Sequence, residues 1–232
     1  MRLQGLDIFR GVAIVLMVVF HFSFDLNNFH YVNFDLKHGL FWHEFRDVIV
    51  TMFVFSAGIS LHLAHQKGIV YKKVGKRVLL LGGAALLVSV GSYTQFPDSW
   101  IYFGILHFFL FSSLIGLLFL QLPKISFVVA IAILLAYNFS WANMHWLYNI
   151  LQAPLHLPIY YTEDLANIIP WFGVFLLGSV FAYYKLHIVL FHRKIFNKKN
   201  RINTTLSFFG KHSLLIYLLH QPFLFAIFLL LK

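Results

Sequence analysis

Long apolar runs separated by short polar segments dominate the chain. We place about seven hydrophobic spans, at 6–27, 46–65, 78–94, 101–121, 125–140, 166–184 and 205–231. Runs of this length are typical of helices that cross a bilayer, because about 20 apolar residues span its hydrocarbon core. The runs are unbroken, whereas a membrane β-barrel shows short segments of alternating polarity. The pattern therefore predicts an all-α, polytopic integral membrane helix bundle, with residues 1–232 forming a single transmembrane domain.

The polar segment at 141–165 separates the fifth and sixth spans. It is rich in aromatic residues, among them Trp141, Trp146, Tyr160 and Tyr161. Tryptophan and tyrosine are enriched where a membrane meets water. We therefore expect an interfacial loop here.

Lysine and arginine are distributed unevenly, and they concentrate in two loops, 66–77 and 185–204. With seven spans, both loops fall on the same side as Arg2 and Lys124, which the positive-inside rule makes cytoplasmic. The other side receives only three basic residues, Lys37, Arg46 and Lys232. We therefore expect a cytoplasmic amino terminus and an external carboxyl terminus.

Composition agrees with this class. The chain is 60% hydrophobic and 11% charged, which is too few charges to cover a water-soluble globular surface. It contains no cysteine, so a disulfide scaffold is excluded. Topology and contact with anionic lipid explain the net charge of +10 without nucleic acid. The sharper alternative is that some of these cations bind a cytoplasmic ligand that carries phosphate.

Four ionisable residues interrupt the first span: Asp7, Arg10, His21 and Asp25. At 100° per residue, Arg10 and His21 lie within about 20° of the same direction and roughly 16 Å apart along the helix. All four side chains therefore share one stripe, which must face a bundle interior or a water-filled cavity. Two interpretations of Asp7 and Arg10 stay open, a structural ion pair at i and i+3 or a functional site.

His21 lies deep in this span, with Asp25 one turn further along. A carboxylate at that position can orient an imidazole and stabilise its protonated form. The alternative is a buried histidine that is satisfied by a hydrogen bond alone.

Two further histidines reach a similar depth, His107 in the fourth span and His220 in the seventh. Ser213, Tyr217 and His220 share one helix face, and Pro222 loosens the helix beside them. Together these residues indicate a polar pocket in the outer half of the bundle. The alternative for each histidine is a hydrogen bond between helices.

The first external loop carries many polar residues: His30, Asp35, His38, His43, Glu44, Arg46 and Asp47. We take His30, His38 and Asp47 as candidates for a substrate-side rim, with an ordinary solvated loop as the alternative. No glycine-rich phosphate loop, nucleophile elbow or paired-cysteine metal site is present in the sequence. We therefore expect no metal site. We interpret five glycines as positions where helices pack closely: Gly58, Gly82, Gly83, Gly173 and Gly178.

Several short motifs resemble one family of enzymes. They are LDIFRGVAIVLMVVFHFSFDL at 6–26, FVFSAGISL at 53–61, FGILH at 103–107, PWFG at 170–173 and HSLLIYLLHQP at 212–222. The first motif resembles the first helix of the heparan-alpha-glucosaminide N-acetyltransferase catalytic-domain family. That family is related to the acyltransferase-3 proteins, which carry an arginine, ten residues and a histidine, as Arg10 and His21 do here.

The motifs look like those of the short bacterial members of the family. This resemblance implies acyl transfer across a membrane. Cytoplasmic acyl-CoA, usually acetyl-CoA, donates to an amino or hydroxyl group of a sugar or glycan on the far side. No cofactor is then bound permanently, and the expected location is the bacterial inner membrane. The lysosomal relatives have asparagine where this chain has His21, and their active histidine falls near His30 or His38. The base is therefore His21 or a loop histidine.

These residues suggest roles in acyl transfer. Four cations are candidates to hold the CoA phosphates through charge-assisted contacts: Arg10, Lys76, Arg77 and Lys211. His21, oriented by Asp25, removes the proton of the acceptor. Three side chains are candidates to hydrogen-bond the oxyanion: His107, Tyr217 and His220.

Other functions compete with acyl transfer. Intramembrane histidine and aspartate also build the relays of proton- or metal-coupled transporters. Histidines at this depth can also ligate haem. A structural membrane scaffold is the third alternative. The partners expected from the sequence are acyl-CoA, a glycan acceptor and the bilayer, and a homo-oligomer is compatible with it.

Overall fold

The computed structural model describes residues 3–36, 39–142, 145–159, 162–198 and 200–231. Every named element in these ranges is a helix. The helices are α1 Gln4–Asn28, α2 Leu40–Ala64, α3 Tyr71–Gln95, α4 Ile105–Phe119, α5 Pro123–Asn138, α6 His145–Gln152, α7 Ile168–Tyr183, α8 Leu186–Phe191, α9 Lys194–Asn197, α10 Arg201–Lys211 and α11 Ser213–Leu231. The predicted all-α class is confirmed.

Four of these helices, α1, α2, α3 and α11, are long and apolar enough to cross a bilayer. The other three predicted spans that form single helices are α4, α5 and α7, which are apolar but have only 15 or 16 residues each. The protein is an integral membrane protein. The number of seven spans and the orientation of the termini stay predictions.

The predicted seventh span, 205–231, is wrong as a single helix. The chain forms α10 and α11, which meet at His212, where φ is −106° and ψ is 20°. The Asn200 side chain accepts a hydrogen bond from the backbone N–H of Asn203 at 2.7 Å, and it thereby starts α10 within the basic segment. Hydropathy locates apolar residues but detects neither a polar helical turn nor a break inside an apolar run.

Polar helix ends and short helices also change the predicted loops. Because α2 begins at Leu40, four residues assigned to the first external loop lie on a helix: His43, Glu44, Arg46 and Asp47. The cations from Lys72 to Arg77 likewise lie on α3. The segment 141–165 contains α6, and the segment 185–204 contains α8, α9 and the start of α10.

The chain divides into two compact units. The first joins Met1–Ser56 to Lys185–Lys232, and the second is Ala57–Tyr184. In the first unit α1 packs against α10 and α11, and in the second α5 packs against α7 and α3 against α4. The single transmembrane domain stays a prediction.

Two glycines allow α1 and α10 to touch through their backbones. A Cβ atom at Gly210 would overlap the carbonyl oxygen of Asp7, and a Cβ at Gly11 would overlap that of Leu206. Only glycine, which has no Cβ, permits this approach. The contact places the end of α10 against the turn of α1 that carries Asp7 and Arg10.

The second unit contains two similar close approaches. Gly58 lies against the backbone of Phe175, and a Cβ at Gly173 would lie 3.0 Å from the carbonyl oxygen of Ala130. These two packing positions were predicted. Among the described residues, no heavy atom lies within 4 Å of a Cβ added at Gly83, so its assignment as a packing position is wrong.

Candidate active site

Two histidines meet where α1 contacts α11. The ring centroids of His21 and His220 are 4.8 Å apart, with an angle of 61° between the ring planes. The edge of one ring therefore approaches the face of the other. The sequence assigned both residues to one polar pocket, and the structure brings them together.

Asp25 is fully buried one turn beyond His21, with 0% of its surface exposed. Its Oδ1 accepts a hydrogen bond of 2.8 Å from Nε2 of Gln221. Among the described residues His21 and Asp25 form no hydrogen bond, and Gln221 on α11 is the partner of the carboxylate. The orienting role of Asp25 stays a prediction. Sequence analysis gave Gln221 no role.

His220 is oriented by its own helix. Its Nδ1 lies 2.6 Å from the carbonyl oxygen of Tyr217. A carbonyl only accepts hydrogen bonds, so Nδ1 carries the proton, and in the neutral ring Nε2 has a lone pair. This Nε2 is buried and has no hydrogen-bond partner among the described residues.

Three acceptor atoms in this cluster are buried and lack a hydrogen-bond donor among the described residues. They are Oδ2 of Asp25, Oε1 of Gln221 and Nε2 of His220. Since the Asp25 carboxylate accepts from Gln221, the amide must donate through Nε2, which turns Oε1 away from that bond. An unpaired buried acceptor costs about 1–3 kcal/mol. The cluster therefore fits a ligand that supplies several hydrogen-bond donors.

Arg10 and Asp7 form the ion pair that their spacing predicted. Nη1 of Arg10 lies 3.4 Å from Oδ1 of Asp7, and Nε donates to Oγ of Ser56 at 3.4 Å. The Asp7 side chain is 3% exposed and that of Arg10 is 21% exposed. Lys211, exposed, directly follows Gly210 at the same end of α1. Two of the four cations predicted for the donor therefore lie at one end of the first unit.

The other two cations belong to the second unit. Lys76 is exposed on α3, and Nε of Arg77 donates to Oγ of Ser113 at 2.7 Å. Arg77 and Ser113 line a small cleft together with His65. These residues form a basic group of their own within this unit.

His65 follows the last residue of α2, and its side chain hydrogen-bonds to the backbone of the turn before α3. Its Nδ1 accepts a hydrogen bond of 3.1 Å from the backbone N–H of Val70. Burial lowers the pKa of His65, and the positive charges of Lys73 and Arg77 lower it further. The neutral form, which can accept this bond, is therefore favoured.

His107 has both ring nitrogens engaged. Nδ1 accepts from the backbone N–H of Gly104 at 3.2 Å, so the proton is on Nε2, which lies 3.1 Å from Oγ of Ser89. Ser89 in turn donates to the carbonyl oxygen of Ile101 at 2.6 Å. The N–H of His107 is therefore committed to Ser89, and the predicted oxyanion role does not match this arrangement. The side chain caps the start of α4 instead.

Replacement of His107 by alanine is expected to lower the free energy of unfolding by about 1–3 kcal/mol, because the N–H of Gly104 and the hydroxyl of Ser89 lose a partner. Ser89→Ala should cause a similar loss, and the double variant should lose less than the sum, since both residues serve one chain of bonds. Thermal unfolding, monitored by tryptophan fluorescence, measures the loss of stability in each variant. His212→Ala, on an exposed ring, serves as the control, and additive losses would contradict a shared chain.

The substrate-side candidates occupy different settings. His30 is exposed and has a φ of 63°, in the left-handed region. Asp47 lies on α2 and pairs with Arg46 at 3.2 Å. His38 lies outside the described residues. In the described ranges no group of three or more histidine, aspartate or glutamate side chains is arranged to hold a metal ion.

Comparison with known proteins gave one informative match. Neither the curated proteins nor the solved structures include a significant match to this chain. The family model described as heparan-alpha-glucosaminide N-acetyltransferase, catalytic, matches residues 2–222. The matched region includes the Arg10–Asp7 pair and the whole cluster formed by His21, Asp25, His220 and Gln221. The chain therefore belongs to the heparan-alpha-glucosaminide N-acetyltransferase catalytic family, and this membership implies acyltransferase activity.

Proposed function

We propose that the protein transfers an acyl group, acetyl, from cytoplasmic acyl-CoA to an amino or hydroxyl group of a sugar or glycan on the outer side of a bacterial inner membrane. The observation that carries this proposal is the cluster of buried polar groups on α1 and α11, two of the four helices long and apolar enough to cross a bilayer. Ionisable groups at such depth are rare and usually functional. Family membership supplies the class of reaction.

The proposed orientation follows from the distribution of lysine and arginine. With the loops at 66–77 and 185–204 inside, α1 runs from a cytoplasmic end at Arg10 to an outer half at His21 and Asp25. In this topology α4, α5 and α7 serve as the shorter spans. The donor then enters at the Arg10 end, and the acceptor reaches the cluster from outside.

The donor's phosphates require cations at the inner end. Arg10 and Lys211 are proposed to bind them, because charge-assisted hydrogen bonds to phosphate are short and strong. Arg10 keeps this role while it pairs with Asp7, since a guanidinium has five N–H donors. Lys76 and Arg77 are a second candidate group for the same phosphates. The acyl arm then follows the polar stripe of α1 towards His21.

The cluster fits an acceptor that carries hydroxyl or amino groups. Three buried acceptor atoms there have no donor among the described residues, and sugars present several donors close together. A histidine within the cluster removes the proton of the attacking group, a step worth roughly 10²–10⁴-fold in rate. Tyr217, whose carbonyl oxygen orients His220, supports this centre through its backbone.

A vesicle assay tests the proposal. Purified protein is reconstituted in lipid vesicles, with labelled acetyl-CoA on one side and a panel of amino sugars and neutral glycans on the other. We expect label to appear on an acceptor only when acetyl-CoA faces the loops at 66–77 and 185–204. Protein-free vesicles are the control, and the sidedness is fixed with single cysteines at Lys72 and Gln95, since the natural chain has none. Absence of transfer to every acceptor in both orientations would contradict the proposal.

A further inference from the structure

We propose that His220 accepts the proton of the acceptor and that His21 donates a hydrogen bond to the oxyanion, which reverses the roles suggested by sequence alone. This inference rests on the proposed function and deepens it. The hydrogen bonds around the two rings carry it, because they decide which nitrogen has a proton to give and which has a lone pair to accept one.

His220 is built as an acceptor. The Tyr217 carbonyl oxygen, 2.6 Å from Nδ1, fixes the proton on that nitrogen. Nε2 is then left with a lone pair, buried and without a protein donor in the described chain. A neutral ring in this tautomer cannot donate through Nε2, so His220 is unsuited to stabilise an oxyanion and suited to remove a proton.

His21 has the complementary property. In the described part of the chain, neither of its ring nitrogens has a recorded hydrogen bond, and its ring contacts are with Phe20 and His220. A neutral imidazole always carries one N–H, and that of His21 is not donated to any of the described residues. By contrast, the N–H groups of His107 and His220 are already donated.

The reaction balances with these two roles. As the nitrogen or oxygen of the acceptor bonds to the thioester carbonyl carbon, its proton passes to Nε2 of His220. The carbonyl π electrons move to oxygen, where the N–H of His21 stabilises the negative charge. The C–S bond then breaks, the carbonyl re-forms, and His220 returns the proton to the thiolate sulfur. The products are the acylated acceptor and free CoA.

Amide substitutions separate a donor from a base. Asparagine or glutamine keeps an N–H donor but has no basic nitrogen. His220→Asn keeps a donor for the Tyr217 carbonyl, and yet it should lower kcat by roughly 10²–10⁴-fold. His21→Ala should lower kcat by roughly 10²–10³-fold, and His21→Gln should recover at least about tenfold of that loss. His212→Asn is the matched control, because its ring also lies against a carbonyl, that of Phe208 at 2.9 Å, but is exposed.

Two further measurements exclude a merely structural effect. The KM for acetyl-CoA and the melting temperature should stay near the natural values in all four variants. The acidic limb of the pH–rate profile should disappear in His220→Asn and persist in His21→Gln. A drop of threefold or less in His220→Asn, or equal activity of His21→Gln and His21→Ala, would overturn the assignment. Failure of the natural protein to transfer acetyl at all would instead overturn the proposed function.

Discussion

Replacement of Gly210 by alanine is expected to separate α10 from α1 and to destabilise the first unit by about 3 kcal/mol or more. Overpacking by a methyl group costs about 1–3 kcal/mol where side chains can yield. Here the added Cβ would meet the carbonyl oxygen of Asp7 and would lie 3.0 Å from the backbone nitrogen of Gly11. Backbone atoms within a helix cannot move aside singly, so the helices must part.

The matched control is Gly91→Ala on α3, where no heavy atom of the part of the chain that the structure describes lies within 4 Å of the added Cβ. There alanine should leave stability unchanged or raise it by about 0.5–1 kcal/mol, because alanine favours a helix over glycine. Melting curves from the five tryptophans, with the yield of monodisperse protein, compare the two variants. Equal melting temperatures would contradict a close backbone contact between α1 and α10.

Replacement of Arg10 by alanine is expected to lower the free energy of unfolding by about 3 kcal/mol. Removal of one partner of a buried ion pair typically costs about 3–5 kcal/mol, because the other charge stays buried. We take the lower end of this range because the Arg10 side chain is 21% exposed, whereas that of Asp7 is 3% exposed. The double variant Asp7→Ala, Arg10→Ala should be less damaged than Arg10→Ala alone.

The same variants test the binding of the donor. If Arg10 also holds a CoA phosphate, calorimetric titration with acetyl-CoA should show weaker binding in Arg10→Ala and in the double variant. Arg10→Lys should restore only part of the affinity, because lysine lacks the planar fork of the guanidinium. Restored stability together with unchanged affinity in the double variant would identify Arg10 as a purely structural partner of Asp7.

Helical periodicity predicted much of the first unit correctly. The stripe of Asp7, Arg10, His21 and Asp25 follows from 100° per residue. Asp7 and Arg10 pair within α1, whereas His21 and Asp25 contact His220 and Gln221 of α11. The pair of Asp7 and Arg10 follows from spacing within one helix. Such reasoning works because the relevant contact is local and requires no knowledge of neighbouring helices.

Contacts between helices are where sequence reasoning reached its limit. Spacing paired Asp25 with His21 on the same helix, but a glutamine on α11 takes the carboxylate instead. Gln221 is a single amide in an apolar run, so it gives no periodic signal. Its polar side chain at that depth is the one feature of the sequence that indicates a contact. His107 was assigned to catalysis because an intramembrane histidine is rare, and its bonds to Ser89 and Gly104 depend on how α3 and the turn before α4 fold.

Asp25 and Gln221 are separated by 196 residues of chain, and the entire second unit is encoded between them. During synthesis α1 is therefore complete long before α11 exists. The Asp25 carboxylate lacks its Gln221 donor for that whole period. Ribosome-stalled chains that end before α11 would carry α1 without the partners that α11 supplies to His21 and Asp25. The contact between Asp25 and Gln221 can therefore form only after the last helix has been made.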